Sequence, residues 1–154
     1  MTVIAYRDGV MASDTASYFG NIVSPRVRKL ARGNDGVLYG VCGDGAASDA
    51  FLAWVEGGYQ GPRPDPVKAS DDGSNFEILI AERGKPLRMR HHDGESVFYG
   101  DYMAIGAGQP VALGALFSGS SAVMACQAAI AHYSHCGGPV ETISFEAPDA
   151  ATDA

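Results

Sequence analysis

Residues 2–7 alternate with a period of two: Val3, Ala5 and Arg7 fall on one face and Thr2, Ile4 and Tyr6 on the other, as in a β-strand. Asp8-Gly9 follows as a tight-turn signal, because glycine accepts positive φ without a Cβ clash. Residues 10–12 then return as the partner strand. Gly20-Asn21 breaks the pattern and Ser24-Pro25 sets a bend. Residues 27–31 and 37–42 read as two further strands, joined through the turn Gly33-Asn34-Asp35-Gly36. The first third of the chain is therefore expected to be a run of antiparallel hairpins.

The period then changes. Across residues 46–55, Ala47, Phe51, Leu52 and Val55 share one helical face, and Gly57-Gly58 ends the helix. Residues 61–72, rich in proline and aspartate, are expected to form an exposed loop. Residues 76–81 (Phe-Glu-Ile-Leu-Ile-Ala) read as a strand buried along much of its length, with residues 86–91 as its hairpin partner. Residues 96–99 and 102–105 are expected to continue that sheet, and Gly106-Ala107-Gly108 turns out of it. Small apolar residues over 110–117 predict a helix packed closely on a sheet. A second helix over 122–133 is capped by Ser120 or Ser121 and ended by Gly137-Gly138-Pro139. Residues 140–145 form a last strand. Residues 1–145 are expected to be a single domain and 146–154 a disordered tail. This order fits two antiparallel sheets with helices outside, a four-layer α/β/β/α sandwich, and equally a two-layer α+β sheet; the pattern does not choose between them.

Composition narrows the function classes. The chain has 154 residues, 46% hydrophobic and 19% charged, an ordinary globular mix for one domain. A formal net charge of −7 disfavours a general nucleic-acid binder, which needs basic surface to neutralise phosphates. No apolar run approaches the ~20 residues of a membrane span, and the N-terminus lacks the pattern of a signal peptide. Three cysteines (Cys42, Cys126 and Cys136) show no zinc spacing, and their odd number suits free thiols in a reducing compartment. A soluble cytoplasmic protein is expected.

Thr2 is the first candidate for chemistry. With Met1 removed it carries a hydroxyl and a free α-amine on one residue, a nucleophile with its own base. An α-amine has an ordinary pKa of about 7.7–8.0, well placed for a general base, and a nearby ammonium lowers it further. A lysine held by a carboxylate would supply that cation, and Lys29 and Asp14 are of those residue types. Taken singly, each is unremarkable: small residues are common at position two, Lys29 lies in a basic stretch with Arg26, Arg28 and Arg32, and Asp14 suits a turn or cap. Backbone N–H groups at a turn entering a helix suit an oxyanion, and Gly43 on its own reads as an ordinary strand-to-helix turn. His91-His92 would make a poor pair for one metal ion if both lay on a strand, where neighbours face opposite sides. His132, His135 and Cys136 have no recognised ligand spacing. No metal or cofactor is expected.

Four passages, in order, resemble the proteasome-type N-terminal nucleophile hydrolases, most of all the bacterial HslV-type ATP-dependent peptidase. They are Thr2-Val-Ile-Ala with Asp8 to Asp14; Gly20 to Val23 with Val27-Arg-Lys29-Leu; Gly40-Val-Cys-Gly43 with Ser48-Asp-Ala-Phe51; and Tyr102-Met-Ala-Ile-Gly-Ala-Gly108. The resemblance implies the four-layer αββα fold and a threonine-type peptidase acting on polypeptide. Thr2 would be nucleophile and base, Lys29 its electrostatic partner, Asp14 the anchor and Gly43 an oxyanion donor. It also implies a ring-shaped homo-oligomer and an ATP-dependent unfoldase as partner. Ala107 departs from the family pattern where a serine is expected, and His132 and Tyr133 stand where a later aspartate is expected. Asp44 replaces the second glycine of the helix-entry turn. These departures define the alternatives, a catalytically impaired relative that keeps the fold or a hydrolase of a small amide.

Overall fold

The computed structural model describes residues 2–66 and 75–146, and the hairpin expected at the start of the chain forms there. Strand β1 (Ile4–Arg7) turns at Asp8-Gly9 into β2 (Val10–Ser13), pairing Ile4 with Ser13 and Arg7 with Val10. Asp8 and Gly9 have φ of 52° and 78°, and two consecutive left-handed residues are what a two-residue hairpin of this twist requires. After it come β3 (Tyr18–Phe19), β4 (Ile22–Val23), β5 (Leu30–Arg32) and β6 (Leu38–Gly43), then helix α1 (Gly45–Glu56). Strands β7 (Phe76–Ala81), β8 (Leu87–His91), β9 (Gly94–Phe98) and β10 (Tyr102–Ile105) precede helices α2 (Gln109–Phe117) and α3 (Ala122–His132), and β11 (Glu141–Ser144) closes the order.

Two antiparallel sheets dominate. One has the order β10-β1-β2-β11, the other β5-β6-β7-β8-β9, and β3 with β4 makes a separate small hairpin. Side-chain alternation in β1 partitions the core. Val3 and Ala5 pack with Ala12, Ala104, Leu116, Ala125 and Ala129, beneath α2 and α3. Ile4, with Met11 and Ile105, instead meets Leu30, Leu38, Leu79 and Leu87 of the other sheet. On the far side of that sheet, Val41, Phe76, Ile78 and Ile80 meet Phe51, Leu52 and Val55 of α1. The layers are thus α2/α3, sheet, sheet, α1: the four-layer α+β sandwich. The sheets approach closely at Gly40, where an added Cβ would lie 2.6 Å from Ile4 Cγ2 and 3.0 Å from Met11 Sδ.

The apolar run of β7 follows from its position. Ile78 and Ile80 face α1 while Leu79 and Ala81 face the other sheet, so both sides are covered and no polar alternation is needed. Three local expectations differ from the structure. The strand expected over residues 27–31 is confined to Leu30–Arg32; upstream the chain is tied instead by Val27 N–H donating to Thr15 O. The hairpin of β3 and β4 was not expected, because Gly20-Asn21 reads as a break, whereas here it is the turn between two-residue strands. Residues 102–105 do not continue the second sheet: β9 ends it, and β10 crosses to pair with β1, Ile105 opposite Ile4. Of the loop expected over 61–72, residues 67–72 lie outside the described residues, as do residues 147–154 of the expected tail. No helix among the described residues is long and apolar enough to cross a membrane.

Candidate active site

The β1–β2 hairpin of the first sheet and the β5 and β6 ends of the second bring Thr2, Asp14, Lys29 and Gly43 into one neighbourhood. Thr2, Lys29 and Gly43 line a single cavity of about 500 Å³, together with Ala16, Phe19, Val27, Val41 and Cys42. Asp14 lies beneath it, fully buried.

Thr2 is held through its backbone. Its carbonyl accepts from Gly108 N–H at 3.0 Å, and the Gly106-Ala107-Gly108 turn passes so close that a Cβ on Gly106 would stand 2.3 Å from that oxygen. Gly106 also has φ of 95°, so both space and conformation require glycine. The turn therefore clamps Thr2 without the hydroxyl that Ala107 lacks. Ser118, Ser120 and Ser121 do not line the cavity: they sit at the α2–α3 junction, where Ser120 O accepts from Arg7 Nη1 and Ser121 Oγ caps α3 by accepting from Met124 N–H at 3.1 Å.

Asp14 and Lys29 form a buried ion pair, Nζ to Oδ1 2.8 Å. Taking two charges out of water costs several kcal/mol per ion unless hydrogen bonds compensate. Here they do. Asp14 Oδ1 also accepts from Val3 N–H at 3.1 Å, Oδ2 accepts from Gly137 N–H at 3.1 Å, and Lys29 Nζ also donates to Ala16 O at 2.6 Å. Asp14 thus fixes three things at once: the strand carrying Thr2, the lysine, and the loop after α3. A basic solvated face, the ordinary expectation for Lys29 among its arginines, is excluded by its 6% exposure.

Gly43 ends β6 with φ of 121°. A Cβ there would meet Asn75 O at 2.5 Å and Phe76 Cα at 2.6 Å, so the position admits only glycine. Asp44, which departs from the family pattern, has a local reason: its carboxylate caps α1 by accepting from Ala47 N–H at 2.8 Å.

Sequence reasoning missed two contributors. One is Gly137, whose N–H reaches the carboxylate of a residue 123 positions away; an amide carries no side-chain signal. The other is Cys42, adjacent to Gly43 and lining the cavity. Burial, with Glu77 beside it, pushes the Cys42 thiol up to about 12, so it stays protonated at neutral pH and is a weak nucleophile. Burial likewise raises Cys126 to about 12 and Cys136 to about 11. His132 and Tyr133 supply no carboxylate to the site. Away from the cavity, His91 and His92 do not stand on opposite faces as expected: β8 ends at His91 and His92 begins the turn, so strand alternation does not apply across the pair.

The four-layer sandwich is a fold that known structures share. No protein-family model matches the sequence, and no curated protein matches it. Solved structures do match in shape. BPH of Thiobacillus denitrificans superposes with a TM-score of 0.65 in its complex with epoxomicin (20% identity, 95% of this chain and 99% of that chain). A second structure of that protein gives 0.64 (19% identity, 96% and 99%). Eukaryotic HslV from Trypanosoma brucei gives 0.65 (14% identity, 92% and 97%). The chain has the fold of the HslV-type peptidases over nearly its whole length.

Proposed function

We propose that the protein is a threonine-type amide hydrolase in which Thr2, freed of Met1, is both nucleophile and base. The observation that carries the reading is the buried Asp14–Lys29 pair placed at the cavity that Thr2 and Gly43 line. The Asp14 carboxylate has a structural use as acceptor for the Val3 and Gly137 N–H groups, but those amides need no ammonium beside it. Burying Lys29 there carries a desolvation cost that packing does not require. A cation held at the cavity lined by a candidate N-terminal threonine is what such a nucleophile uses.

The reaction follows from these groups. The Thr2 α-amine takes the proton as Oγ1 attacks the scissile carbonyl carbon, with the Lys29 ammonium as the cation of the site. Negative charge then collects on the former carbonyl oxygen, where the Gly43 N–H donates. The α-ammonium returns its proton to the leaving amine, the C–N bond breaks, and an ester on Thr2 remains. Water, deprotonated by the same amine, hydrolyses that ester and regenerates Thr2. Such acid–base assistance typically contributes ~10²–10⁴-fold. No metal or cofactor enters.

The substrate fitting this reading is polypeptide, cut within a homo-oligomeric ring in a cytoplasmic setting and supplied by an ATP-dependent unfoldase. Support for assembly comes from the shared fold with HslV. Ala107 favours the second reading, a relative that keeps the fold without turnover, because no hydroxyl from that turn meets the Thr2 amine. Intact-mass measurement beside a fluorogenic peptide assay separates the two. The chain should begin at Thr2, and protein made to retain Met1 should lose hydrolysis. A chain that retains Met1 and still cleaves peptide would refute the role of the α-amine, and one that begins at Thr2 but cleaves nothing would support the inactive relative.

A further inference from the structure

The tip of the β8–β9 hairpin carries three metal-ligating side chains in succession. We propose that His91, His92 and Asp93 form a binding site for a divalent transition-metal ion of the zinc type, independent of the cavity at Thr2. Their ligand atoms all lie within 4.8 Å of one another. The hairpin turn produces this convergence, because His92 leaves the strand and the two imidazoles come to 5.8 Å between centroids. Asp93 N–H donates to His91 Nδ1 at 3.2 Å, and His92 Nε2 lies 3.1 Å from Asp93 Oδ2. The turn thus ties His91 to the Asp93 backbone and His92 to the Asp93 carboxylate.

Two imidazoles and one carboxylate are the donor set of zinc and its first-row neighbours rather than of magnesium or calcium, which prefer oxygen alone. Metal–ligand bonds of about 2.0–2.2 Å in tetrahedral geometry put ligand atoms roughly 3.3 Å apart. The groups therefore close by up to about 1.5 Å on binding, a rotation open to exposed side chains at a hairpin tip. To ligate, the His91 ring turns off the Asp93 N–H, which is left to water at this exposed tip. At His92 the ion replaces the proton between Nε2 and Asp93, which moves to Nδ1.

His91 and His92 also border a cavity of about 360 Å³ that leaves room for water or an exogenous ligand on the ion. Two guanidiniums line the same cavity and would repel a cation if uncompensated. Their charge is offset by shared carboxylates: Arg63 and Arg90 pair with the same Asp65 (2.7 and 2.9 Å). Arg90 also pairs with Glu95 (2.7 Å), which takes Arg88 as well (3.0 Å), itself held by Glu82 at 3.2 Å. Asp93 adds a negative charge at the hairpin tip itself. The three cysteines, all buried, do not compete for the metal.

The test is isothermal titration of tag-free protein with Zn²⁺, and with Co²⁺ followed by its visible absorption. One ion per chain should bind, more weakly at acidic pH because protons compete for the imidazole nitrogens. The double variant His91→Ala/His92→Ala should lose at least ~100-fold in affinity, and Asp93→Asn about 10-fold. All three residues are at the surface or nearly so, and the melting curves of the metal-free variants should match wild type. Absence of saturable binding, or binding unchanged in the double variant, would overturn the proposal.

Discussion

Thr2→Ala leaves the fold in place and removes peptide hydrolysis to background. The substitution takes away one hydroxyl and one methyl group, while the contacts that hold this stretch are made by the backbone: Thr2 O with Gly108 N–H and Val3 N–H with Asp14. Loss of a nucleophile in an acyl-transfer hydrolase lowers kcat by on the order of 10⁶-fold, far beyond what a repacked side chain could cause. Thr2→Ser, which keeps both hydroxyl and amine, should retain measurable turnover. The check is a fluorogenic peptide assay beside thermal melts of all three proteins. Turnover in Thr2→Ala equal to wild type would place the nucleophile elsewhere.

Lys29→Met costs both stability and activity, and the two losses can be separated. It leaves the Asp14 carboxylate buried with only the Val3 and Gly137 amides for company, and breaking a buried pair in this way costs about 3–5 kcal/mol. At roughly 2–4 °C per kcal/mol for a chain of this size, Tm should fall by about 6–20 °C. Asp14→Leu added to Lys29→Met removes the orphaned charge and should recover part of that stability. Recovery stays incomplete because the Val3 and Gly137 N–H groups lose their acceptor. Hydrolysis does not recover with it. Urea unfolding alongside peptide assays on the single and double variants reads both effects; hydrolysis restored with stability would reduce Lys29 to a structural residue.

The parts of this molecule that were legible in the sequence are those governed by local periodicity. Alternation in residues 2–7 assigned Val3 and Ala5 to one face and Ile4 to the other, and the two faces became the helix–sheet and sheet–sheet cores. Asp8-Gly9 specified its turn, and the spacing of Phe51, Leu52 and Val55 specified the buried face of α1. What stayed hidden depends on contacts between distant segments. Two-residue strands such as Tyr18–Phe19 and Ile22–Val23 are too short to show a period. The crossover of β10 to pair with β1 is a choice of partner, which a strand pattern does not encode. At the site, Asp14 and Lys29 could be paired only through a resemblance, since they stand fifteen positions apart with a small hairpin between them. Asp44 looked like a departure and is a helix cap. His91-His92 was judged by a strand rule that ends one residue too early to apply.

The free amine and hydroxyl of Thr2 are the centre of the proposed chemistry, and a covalent trap reads them directly. Wild-type protein incubated with epoxomicin, the compound bound in one structure of the Thiobacillus denitrificans neighbour, should gain the mass of a single adduct. Peptide mapping should find that adduct on the peptide beginning at Thr2, with Met1 gone, and Thr2→Ala should take up none. A chain that keeps Met1 and remains unmodified, or an adduct mapped to a residue other than Thr2, would contradict the N-terminal nucleophile.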